Sequence, residues 1–462
     1  MLSVPRPGLW NNPEFLSLWA GQTISLLGDQ GSNLALPLTA AIVLGASPAE
    51  MGLLGALGTL PYLLLGLFAG AMVDRWPRRP VLITADLGRA LLLGMIPIAF
   101  VLGVLRLEVL FGVALVVGIF NVFFVVAYGA FVPSVVAATD LVEGNGRLAL
   151  SQQVARVVGP GLAGALVQLL SAPVAIALDA LSFLVSAGCL GRIRARDHGS
   201  DAGGEPGRLL VEIREGLAFA VRDPLLRPIL LSVALGNLGD GLVFGSGAFI
   251  LYATRELGVA PAAVGGIFAG LGMGGVAGAV LVGPITERAG FGRAVVATLL
   301  VWAIGVLSLA AVPIQSGSTV TVLTAVFAGV GLVNPIFNTN LVSLVQTITP
   351  RPLLGRITGT SRFITWGVLP IGAALGGQIA EVLGLRAPML AAGVLSVAAF
   401  VLLATSRIRG IASVAAAAEL LATRSGREDC REDAPGDLQA PGSAGGRGRS
   451  ASGSALPRDT AR

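Results

Sequence analysis

Long apolar stretches separated by short charged or turn-rich segments recur along almost the whole chain. A helix needs about 20 apolar residues to cross a bilayer. Twelve stretches approach or exceed that length, and we predict helices 1 to 12 at 15–40, 50–72, 80–103, 109–132, 147–170, 173–191, 228–252, 260–283, 293–313, 318–343, 357–382 and 387–405. The pattern therefore predicts an all-α membrane protein with twelve transmembrane helices.

Composition leads to the same fold class. Hydrophobic residues make up 54% of the chain and charged residues only 12%, whereas a soluble domain carries roughly 25% charged residues. The polar surface is too small for a soluble chain of this length, so lipid must cover much of the protein. The 64 glycines suit membrane helices that pack closely through small residues.

The arginines predict the orientation of the chain. Those after even-numbered helices include several in 192–227 together with Arg75, Arg78, Arg79, Arg147, Arg288, Arg293, Arg351 and Arg356. Those after odd-numbered helices are Arg106, Arg255 and Arg386. The positive-inside rule then places both termini in the cytoplasm, in a multi-pass protein of the inner (plasma) membrane. Because topology explains most of the net charge of +5, no nucleic-acid partner is expected.

An internal repeat divides the chain into two parts. Three matches occur in the same order and with nearly the same separation along the chain: Leu27-Gly28-Asp29 with Leu238-Gly239-Asp240, Gly70 to Arg75 with Gly283 to Arg288, and Pro160 with Pro370. Such a pattern is typical of two homologous six-helix halves arranged as a parallel repeat.

The repeat and the charge pattern together predict five regions. Residues 1–14 form a cytoplasmic N-terminal segment, and 15–191 form the first six-helix half. Residues 192–227 form a cytoplasmic linker, with an amphipathic helix near 209–221, where apolar residues recur every three or four positions. Residues 228–406 form the second half, and 407–462 a cytoplasmic, largely disordered tail.

Two aspartates lie deep inside predicted helices, Asp29 in helix 1 and Asp240 in helix 7. A carboxylate there is costly unless it is paired, faces a water-filled cavity or carries a proton. Both are candidates for proton coupling in a substrate cavity, and the alternative is a structural hydrogen bond between helices. Arg156 in helix 5 either holds Asp29 ionised in one conformation and releases it in another, or binds an anionic group of a substrate, or forms a static buried ion pair.

Other polar residues inside the helices have two possible roles each. Asp86 and Arg89 are three residues apart on one face of helix 3, so a structural pair is expected and a coupling pair is the alternative. For Asp179 in helix 6, a functional role without a specific assignment and a plain carboxylate near the outer surface are both open. Further residues at the depth of a central cavity are Gln22, Asn121, Asn334, Phe337, Asn338, Asn340 and Trp366.

Charged residues after helices 2 and 8 are candidates for a cytoplasmic gate. Helix N-termini carry partial positive charge that attracts carboxylates, so we expect Asp74 to meet helix 11 near Arg356, and Glu287 to meet helix 5 near Arg147. These contacts would close the cytoplasmic side while the outer side is open. The full set of gate residues is Gly70, Asp74, Arg75, Arg78, Arg79, Glu287 and Arg288.

The sequence offers little for enzyme chemistry. Its single histidine, His198, lies in the linker, and its two cysteines, Cys189 and Cys430, lie in a helix and in the tail. The sequence shows neither the nucleophile and general base of a catalytic site nor the ligands of a metal site. We therefore expect no catalytic residue, no metal site and no cofactor.

The segment Gly70-x-x-x-Asp74-Arg75-x-x-Arg78-Arg79 resembles the most specific signature of the major facilitator superfamily, although Pro77 stands where glycine is more common. Gly159-Pro160-x-x-x-Gly164 is similar to the helix-bending motif of its drug exporters, but lacks the regular upstream glycines. Further phrases resemble macrolide-efflux and siderophore-exporting proteins: Leu18-Trp-Ala-Gly-Gln22, Asp86-Leu-Gly-Arg89 and Leu178-Asp179-Ala-Leu-Ser-Phe183. The resemblance covers roughly residues 12–406.

This resemblance implies a proton-driven exporter of an amphipathic small molecule that works by alternating access. Its expected partners are the small-molecule substrate, protons and membrane lipid, and the chain is expected to be a monomer. A specific siderophore or lipid exporter and a nutrient importer are alternatives of the same fold. A non-transporting membrane scaffold or sensor is a more remote alternative.

Overall fold

The structure is a computed structural model that describes residues 9–73, 75–137, 139–194, 218, 222–313, 317–349 and 354–413. The first six long helices are α1 (Pro13–Leu38), α2 (Pro48–Val73), α3 (Arg78–Val101), α4 (Leu107–Val135), α5 (Leu141–Leu169) and α6 (Ala172–Arg192). The other six are α7 (Leu226–Asp240), α8 (Pro261–Ala289), α9 (Phe291–Ala310), α10 (Thr319–Ile348), α11 (Leu354–Leu383) and α12 (Ala387–Ala404). No strand occurs in the described residues.

Ten of the described helical segments are long and apolar enough to cross a membrane. The two long helices that miss this criterion are α1, with 26 residues, and α5, with 29. Both have the length, but their faces carry polar and charged side chains such as Asp29, Gln30 and Arg156. The all-helical membrane fold is therefore confirmed, and apolar composition alone accounts for ten of the twelve predicted crossings.

Local sequence sets where the helices begin. Asn12 caps α1, because its side-chain oxygen accepts hydrogen bonds from the backbone N–H groups of Glu14 and Phe15 at 3.0 and 3.2 Å. Proline stands in the first turn of α1, α6, α8 and α12, where its missing N–H costs nothing. The Asn12 amide also donates to the Val135 carbonyl, which ties the start of α1 to the end of α4.

Helix packing separates two groups of six. In the first group, α1 packs on α5 and α6, α3 packs on α4 and α6, and α2 packs on α4. In the second group, α8 packs on α10, α9 packs on α10 and α12, and α7 packs on α11 and α12. Two helix pairs join the groups, α2 with α11 and α5 with α8. The exact domain limits at 1–14, 15–191, 192–227, 228–406 and 407–462 stay predictions.

The same backbone motif closes the first helix of each group. A π-helical turn covers Thr39–Val43 in one group and Tyr252–Glu256 in the other. Glycines with positive φ follow, Gly45 at +67° and Gly258 at +65°. A next helix then begins at a proline, Pro48 or Pro261. Since all these pairs have the same separation along the chain, that common offset identifies equivalent positions from the π turn onward.

Helix 7 differs from the continuous helix that the sequence predicts at 228–252. The α-helix ends at Asp240, a π-helical turn covers Gly241–Gly245, and a four-residue helix covers Ala248–Leu251 after Gly247 at φ +66°. This irregular segment is slightly longer than the matching part of α1, which explains why Asp29 and Asp240 lie a little closer along the chain than the common offset requires. Apolar content does not record such a change of hydrogen-bond pattern.

One of the three predicted repeat matches is wrong in detail. At the common offset, Pro160 is equivalent to Ala373 rather than to Pro370, because both residues place a backbone carbonyl against an equivalent glycine of the other group. The predicted amphipathic helix near 209–221 and the tail beyond 413 lie outside the described residues, as do Asp74 and Arg351.

Candidate functional site

A cavity of about 280 Å³ lies in the first group of helices, beside the irregular segment of the second. Its polar lining comes from α1, α2, α4 and α6, and its apolar walls come from the same helices and from Phe244. The lining residues that matter most are Asp29, Ser32, Asn33, Thr59, Asn121, Asp179, Met51, Leu54, Phe183 and Phe244. The site therefore combines a few polar groups with apolar and aromatic surface, as small-molecule sites usually do.

Asp29 is half-buried on the cavity face of α1. Ser32 and Asn33 follow it by three and four residues, so all three share one face of the helix. The charged groups that act on Asp29 most directly are the Arg89 guanidinium and the Asp179 carboxylate. The sequence placed Asp29 at this depth but did not reveal either neighbour.

Arg89 is the cationic centre of the site. Its guanidinium forms a buried ion pair with Asp86 on the preceding turn of α3. It also donates a hydrogen bond of 3.0 Å from Nη1 to the Asn121 side-chain oxygen on α4. The rings of Phe124 and Phe183 lie on it, each with its centroid 4.1 Å from Cζ. Cation–π contacts of this kind add to the ion pair, so Arg89 is held by three helices.

Asp179 is buried in the interior, with 1% of its surface exposed. The Ser182 hydroxyl donates to it at 3.0 Å, and Gly28 of α1 lies so close that an added Cβ would overlap the Asp179 carboxylate. The alternative position near the outer surface is therefore wrong. A signal for this was present in the sequence, since Gly28 directly precedes Asp29 and allows α6 to approach.

Three carboxylates, those of Asp29, Asp86 and Asp179, thus share one guanidinium. Ionisation of all three would leave two uncompensated negative charges in a low-dielectric interior. Such charges cost several kcal/mol each even after relaxation. The arrangement is chemically suited to hold a proton or a cationic group and to release it when the neighbourhood changes.

The second aspartate, Asp240, lies in a separate cavity of about 90 Å³ inside the second group. Asn334, Phe337 and Asn338 line this cavity as well, whereas Asn121 lines the first. The remaining candidates line neither: Asn340 is bonded to Thr286, Trp366 packs on Tyr62, and Gln22 is buried in α1.

Arg156 does not take the position expected of it. Its side chain is exposed on α5, and no hydrogen bond or ion pair joins it to another described residue. The arginine near Asp29 is Arg89 instead. Gly159, Pro160 and Gly164 lie within an uninterrupted α5, where Gly159 contacts Gln30 of α1 and Gly164 contacts α8. In the structure these glycines serve close helix approach.

The predicted contact of Glu287 with the start of α5 is not formed between the described residues, and the predicted contact of Asp74 with helix 11 near Arg356 lies outside them. Glu287 and Arg288 are exposed, and Arg147 pairs with Glu143 at 2.6 Å rather than with Glu287. Arg79 donates to the backbone carbonyls of Leu190 and Gly191, and so caps the end of α6. Arg75 and Arg78 lie at the α2–α3 turn and the start of α3, while Gly70 has open space around it; Asp74 lies outside the described residues.

The opposite end of the bundle, where α1 ends and α2 begins, is tightly closed. Gly52 of α2 packs on Gly377 of α11, and Gly265 of α8 packs on Gly164 of α5. A Cβ added to Gly52 would lie 2.7 Å from the Gly377 Cα, so only glycine allows this approach. The two contacts occupy equivalent positions in the two groups.

Hydrogen bonds between the two groups reinforce this closure. Glu381 accepts from the Ala49 N–H at 3.0 Å, and at the equivalent position Gln168 accepts from the Ala262 N–H at 3.2 Å. Arg255 donates to the carbonyls of Ala41 and Ala46 at 3.1 and 2.8 Å. The sequence held one signal for this role, because Arg255 is among the few arginines on the side opposite the arginine-rich loops.

At the arginine-rich end the same helix pairs do not pack closely. Cβ atoms built on Gly66 and Gly70 of α2, or on Gly283 of α8, meet nothing within 4 Å in the described part of the chain. The close backbone contacts found between the two groups thus lie away from the arginine-rich end, an arrangement that suits one state of an alternating-access cycle.

Sequence comparison identifies relatives along most of the chain. The family model described as transmembrane secretion effector matches residues 9–424. The uncharacterized MFS-type transporter YfiS of Bacillus subtilis is 30% identical over 84% of this chain and 92% of its own length. The multidrug efflux pump Tap of Mycolicibacterium fortuitum is 28% identical, over 76% and 87%. Macrolide efflux protein A of Streptococcus pyogenes is 23% identical, over 83% and 93%.

Solved structures support the same fold. The nucleoside transporter NupG matches with a TM-score of 0.69 at 14% identity, over 85% of this chain and 99% of its own. A bacterial homologue of the iron transporter ferroportin, in its inward-facing state, matches with a TM-score of 0.66 at 18% identity, over 85% and 98%. At these identities the likeness concerns the fold alone. From the family model and the relatives, the chain belongs to the transmembrane secretion effectors of the major facilitator superfamily, and is a transporter rather than an enzyme.

Proposed function

We propose that this transporter exports an amphipathic small molecule, and that inward movement of protons through the Asp29 cavity drives the export. The observation that carries the proposal is a group of three carboxylates near one guanidinium: Asp86 contacts Arg89, whose charge also acts on Asp29 and Asp179 in the neighbouring cavity. A proton or a cationic substrate satisfies the same excess charge, so the two compete for one site. That competition is what antiport requires.

The cavity walls support an amphipathic substrate. Met51, Phe183 and Phe244 offer flexible and aromatic surface next to the polar groups of α1. Relatives named as a multidrug efflux pump and a macrolide efflux protein are consistent with such a substrate.

The conformation supports alternating access. With the arginine-rich loops in the cytoplasm, the closed end is the outer one and the arginine-rich end faces inward. Export then begins from this state: substrate enters from the cytoplasm or the inner leaflet and loads beside Asp29. Opening of the outer contacts follows, and a proton that enters from outside displaces the substrate. The protein works in the inner (plasma) membrane with both termini in the cytoplasm.

The test uses everted membrane vesicles with an acidic interior that a quenched dye reports. A panel of macrolides, lipophilic cations and siderophores is added to vesicles with wild type, Asp29→Asn or Glu108→Gln. Glu108 is an exposed carboxylate at the start of α4, and serves as the matched charge-neutralising control. We expect proton release with at least one compound in wild type and Glu108→Gln, and none in Asp29→Asn.

Two outcomes would count against the proposal. Release that persists in Asp29→Asn would move coupling away from the first cavity. Compound-dependent acidification in place of release, in vesicles that contain folded protein, would indicate symport and hence uptake.

A further inference from the structure

The cavity around Asp240 differs from the Asp29 cavity in position and size. Its lining comes from α7, α9, α10 and α12, all in the second group of helices, and it shares no residue with the Asp29 cavity. Its volume of about 90 Å³ corresponds to roughly three water molecules at about 30 Å³ each. A drug-sized molecule does not fit, whereas a small ion with one or two waters does.

In this cavity, side-chain N–H and O–H groups are used in hydrogen bonds to the protein, so mainly oxygen acceptors remain to face a bound ligand. Five polar side chains of the lining donate to oxygens of their own or neighbouring helices. The donations are from Ser232 to Ala399, from Asn237 to Thr365, from Thr298 to Val295, from Asn338 to Asn334 and from Ser396 to Ala392, over distances of 2.6–3.2 Å. Each of these side chains keeps oxygen lone pairs that can accept a hydrogen bond from water or bind a cation.

The Asp240 carboxylate has no counter-charge in this cavity. No hydrogen bond or ion pair joins it to any residue that the structure describes, and the lining contains no arginine or histidine. Asn334 and Trp302 bring N–H groups, but neither side chain carries a charge. Water, a proton or a cation can stabilise a carboxylate at this depth, and the oxygen-rich lining favours a cation.

We propose that the second half of the transporter binds one Na⁺ ion at Asp240. Oxygen ligands on the carboxylate, on the amides of Asn237 and Asn338 and on the Thr298 hydroxyl form a hard donor set. A single negative charge balances a monovalent ion, whereas divalent Ca²⁺ and Mg²⁺ sites usually recruit more carboxylates or phosphates. Soft metals prefer thiolate and imidazole ligands, and neither lines this cavity.

The site goes beyond the proposed proton step, because it lies on other helices than the Asp29 cavity. Its polar ligands join α7, just before its irregular segment, to α9 and α10. Bound Na⁺ would hold these helices together and stabilise the fold of the second half. Binding can be measured on the purified full chain without any transported substrate, so the test is independent of the export proposal.

The experiment compares thermal unfolding of the detergent-solubilised protein in NaCl, KCl, methylammonium chloride and choline chloride at equal ionic strength and pH. At saturating Na⁺ we expect the unfolding midpoint to rise by a few degrees, relative to choline. The rise should disappear in Asp240→Asn and remain in Asp29→Asn. If Asp240→Asn does not fold, Thr298→Val keeps the test open, because loss of one ligand oxygen should raise the half-maximal Na⁺ concentration by about tenfold.

Three results would overturn the site. They are equal midpoints in Na⁺ and choline, a Na⁺ effect that Asp240→Asn and Thr298→Val leave unchanged, and stabilisation by methylammonium without stabilisation by Na⁺. The last result would assign the cavity to the ammonium group of an organic amine. Binding of ²²Na⁺ to the purified protein gives a second reading of the same question.

Discussion

At the residue scale, the first cavity depends on how Arg89 is shared. Arg89 is 3% exposed and contacts Asp86 directly, while Asp29 and Asp179 line the neighbouring cavity. Burial of each charge costs desolvation energy. The direct contact between Arg89 and Asp86 and the rings of Phe124 and Phe183 on the guanidinium offset that cost. Protonation of Asp29 would remove a negative charge near Arg89. We expect this to alter the contacts of Arg89 with Asn121 and Phe124 of α4.

Removal of this arginine should be costly. Arg89→Ala leaves the Asp86 carboxylate buried without a counter-charge, and we expect a loss of about 3–5 kcal/mol in the free energy of unfolding. The double variant Arg89→Ala/Asp86→Ala should recover part of that loss. Unfolding by SDS in mixed micelles measures both. Equal stability of the Arg89→Ala protein and wild type would contradict a structural role for the pair.

Gly28 should be sensitive to a single methyl group. An added Cβ would overlap Asp179 and Ser182, so Gly28→Ala should destabilise the protein by about 1–3 kcal/mol and lower proton release in vesicles. Gly31→Ala is the matched control on the same helix, because its Cβ would meet nothing within 4 Å. The control should stay within about 1 kcal/mol of wild type. Similar effects of the two changes would rule out close packing as the reason.

At the element scale, the two groups of helices repeat one plan. Equivalent glycine contacts join α2 to α11 and α5 to α8, with Gly52 opposite Gly377 and Gly265 opposite Gly164. Backbones at this distance attract each other by van der Waals contact between many atoms. In lipid this contact stabilises helix pairs, because no hydrophobic effect acts between them. Toward the arginine-rich end, Cβ atoms built on Gly66, Gly70 and Gly283 meet nothing within 4 Å of the described residues, so the glycine contacts are candidates for the points about which the groups rock.

A methyl group at one of these points should favour the other conformation. Gly265→Ala would bring a Cβ within 3.0 Å of the Gly164 Cα, and we expect the closed end to open more often. Gly266→Ala, one residue on, has open space and should behave as wild type. Leu54 is buried and lines the Asp29 cavity, so labelling of Leu54→Cys by a membrane-impermeant maleimide from outside, with Cys189 and Cys430 replaced by serine, measures the opening. Equal labelling rates in the two alanine variants would contradict this role.

The helical arrangement could largely be predicted from the sequence, because a segment that crosses lipid must be apolar and arginines collect in loops on one side of the membrane. The sequence identified helix positions, the repeat and the depth of Asp29. It missed the interruption of helix 7, since a π turn leaves the apolar content unchanged. It also paired Asp29 with Arg156 rather than Arg89, because helix depth gives no rotation about the helix axis. Asp179 lies in the interior because Gly28 has no side chain and so leaves room for its carboxylate. The sequence did not show that α6 packs on α1 at Gly28.

At the scale of the whole molecule, a few hydrogen bonds between the two groups of helices stabilise the described conformation at its closed end. The hydrogen bonds at Gln168 and Glu381 hold the closed end of each interface in the same way, and Arg255 adds two bonds between the groups. Each neutral bond contributes about 0.5–1.5 kcal/mol, and bonds to a charged group about 1.5–3 kcal/mol. By these figures the four bonds together contribute about 5–10 kcal/mol, which is enough to favour the closed end strongly until other interactions offset them.

Loss of both equivalent bonds should open the outer end. In Gln168→Leu/Glu381→Leu we expect the equilibrium to shift by about 1–4 kcal/mol toward the outward-open state. Distances between spin labels at Val104→Cys and Leu383→Cys, both exposed near this end, report the shift. Gln152→Leu, at an exposed position of α5, is the control. An unchanged distance distribution in the double variant would mean that the glycine contacts alone hold the end closed.

The most direct test of the central claim separates coupling from substrate movement in Asp29→Asn. In proteoliposomes with a compound that wild type exports, we expect this variant to exchange labelled for unlabelled compound at a rate near that of wild type. Accumulation driven by a pH gradient should be lost, because no proton can bind and release at this position. If the variant still accumulates the compound when the gradient is imposed, Asp29 does not couple export to protons and the account of the first cavity is wrong.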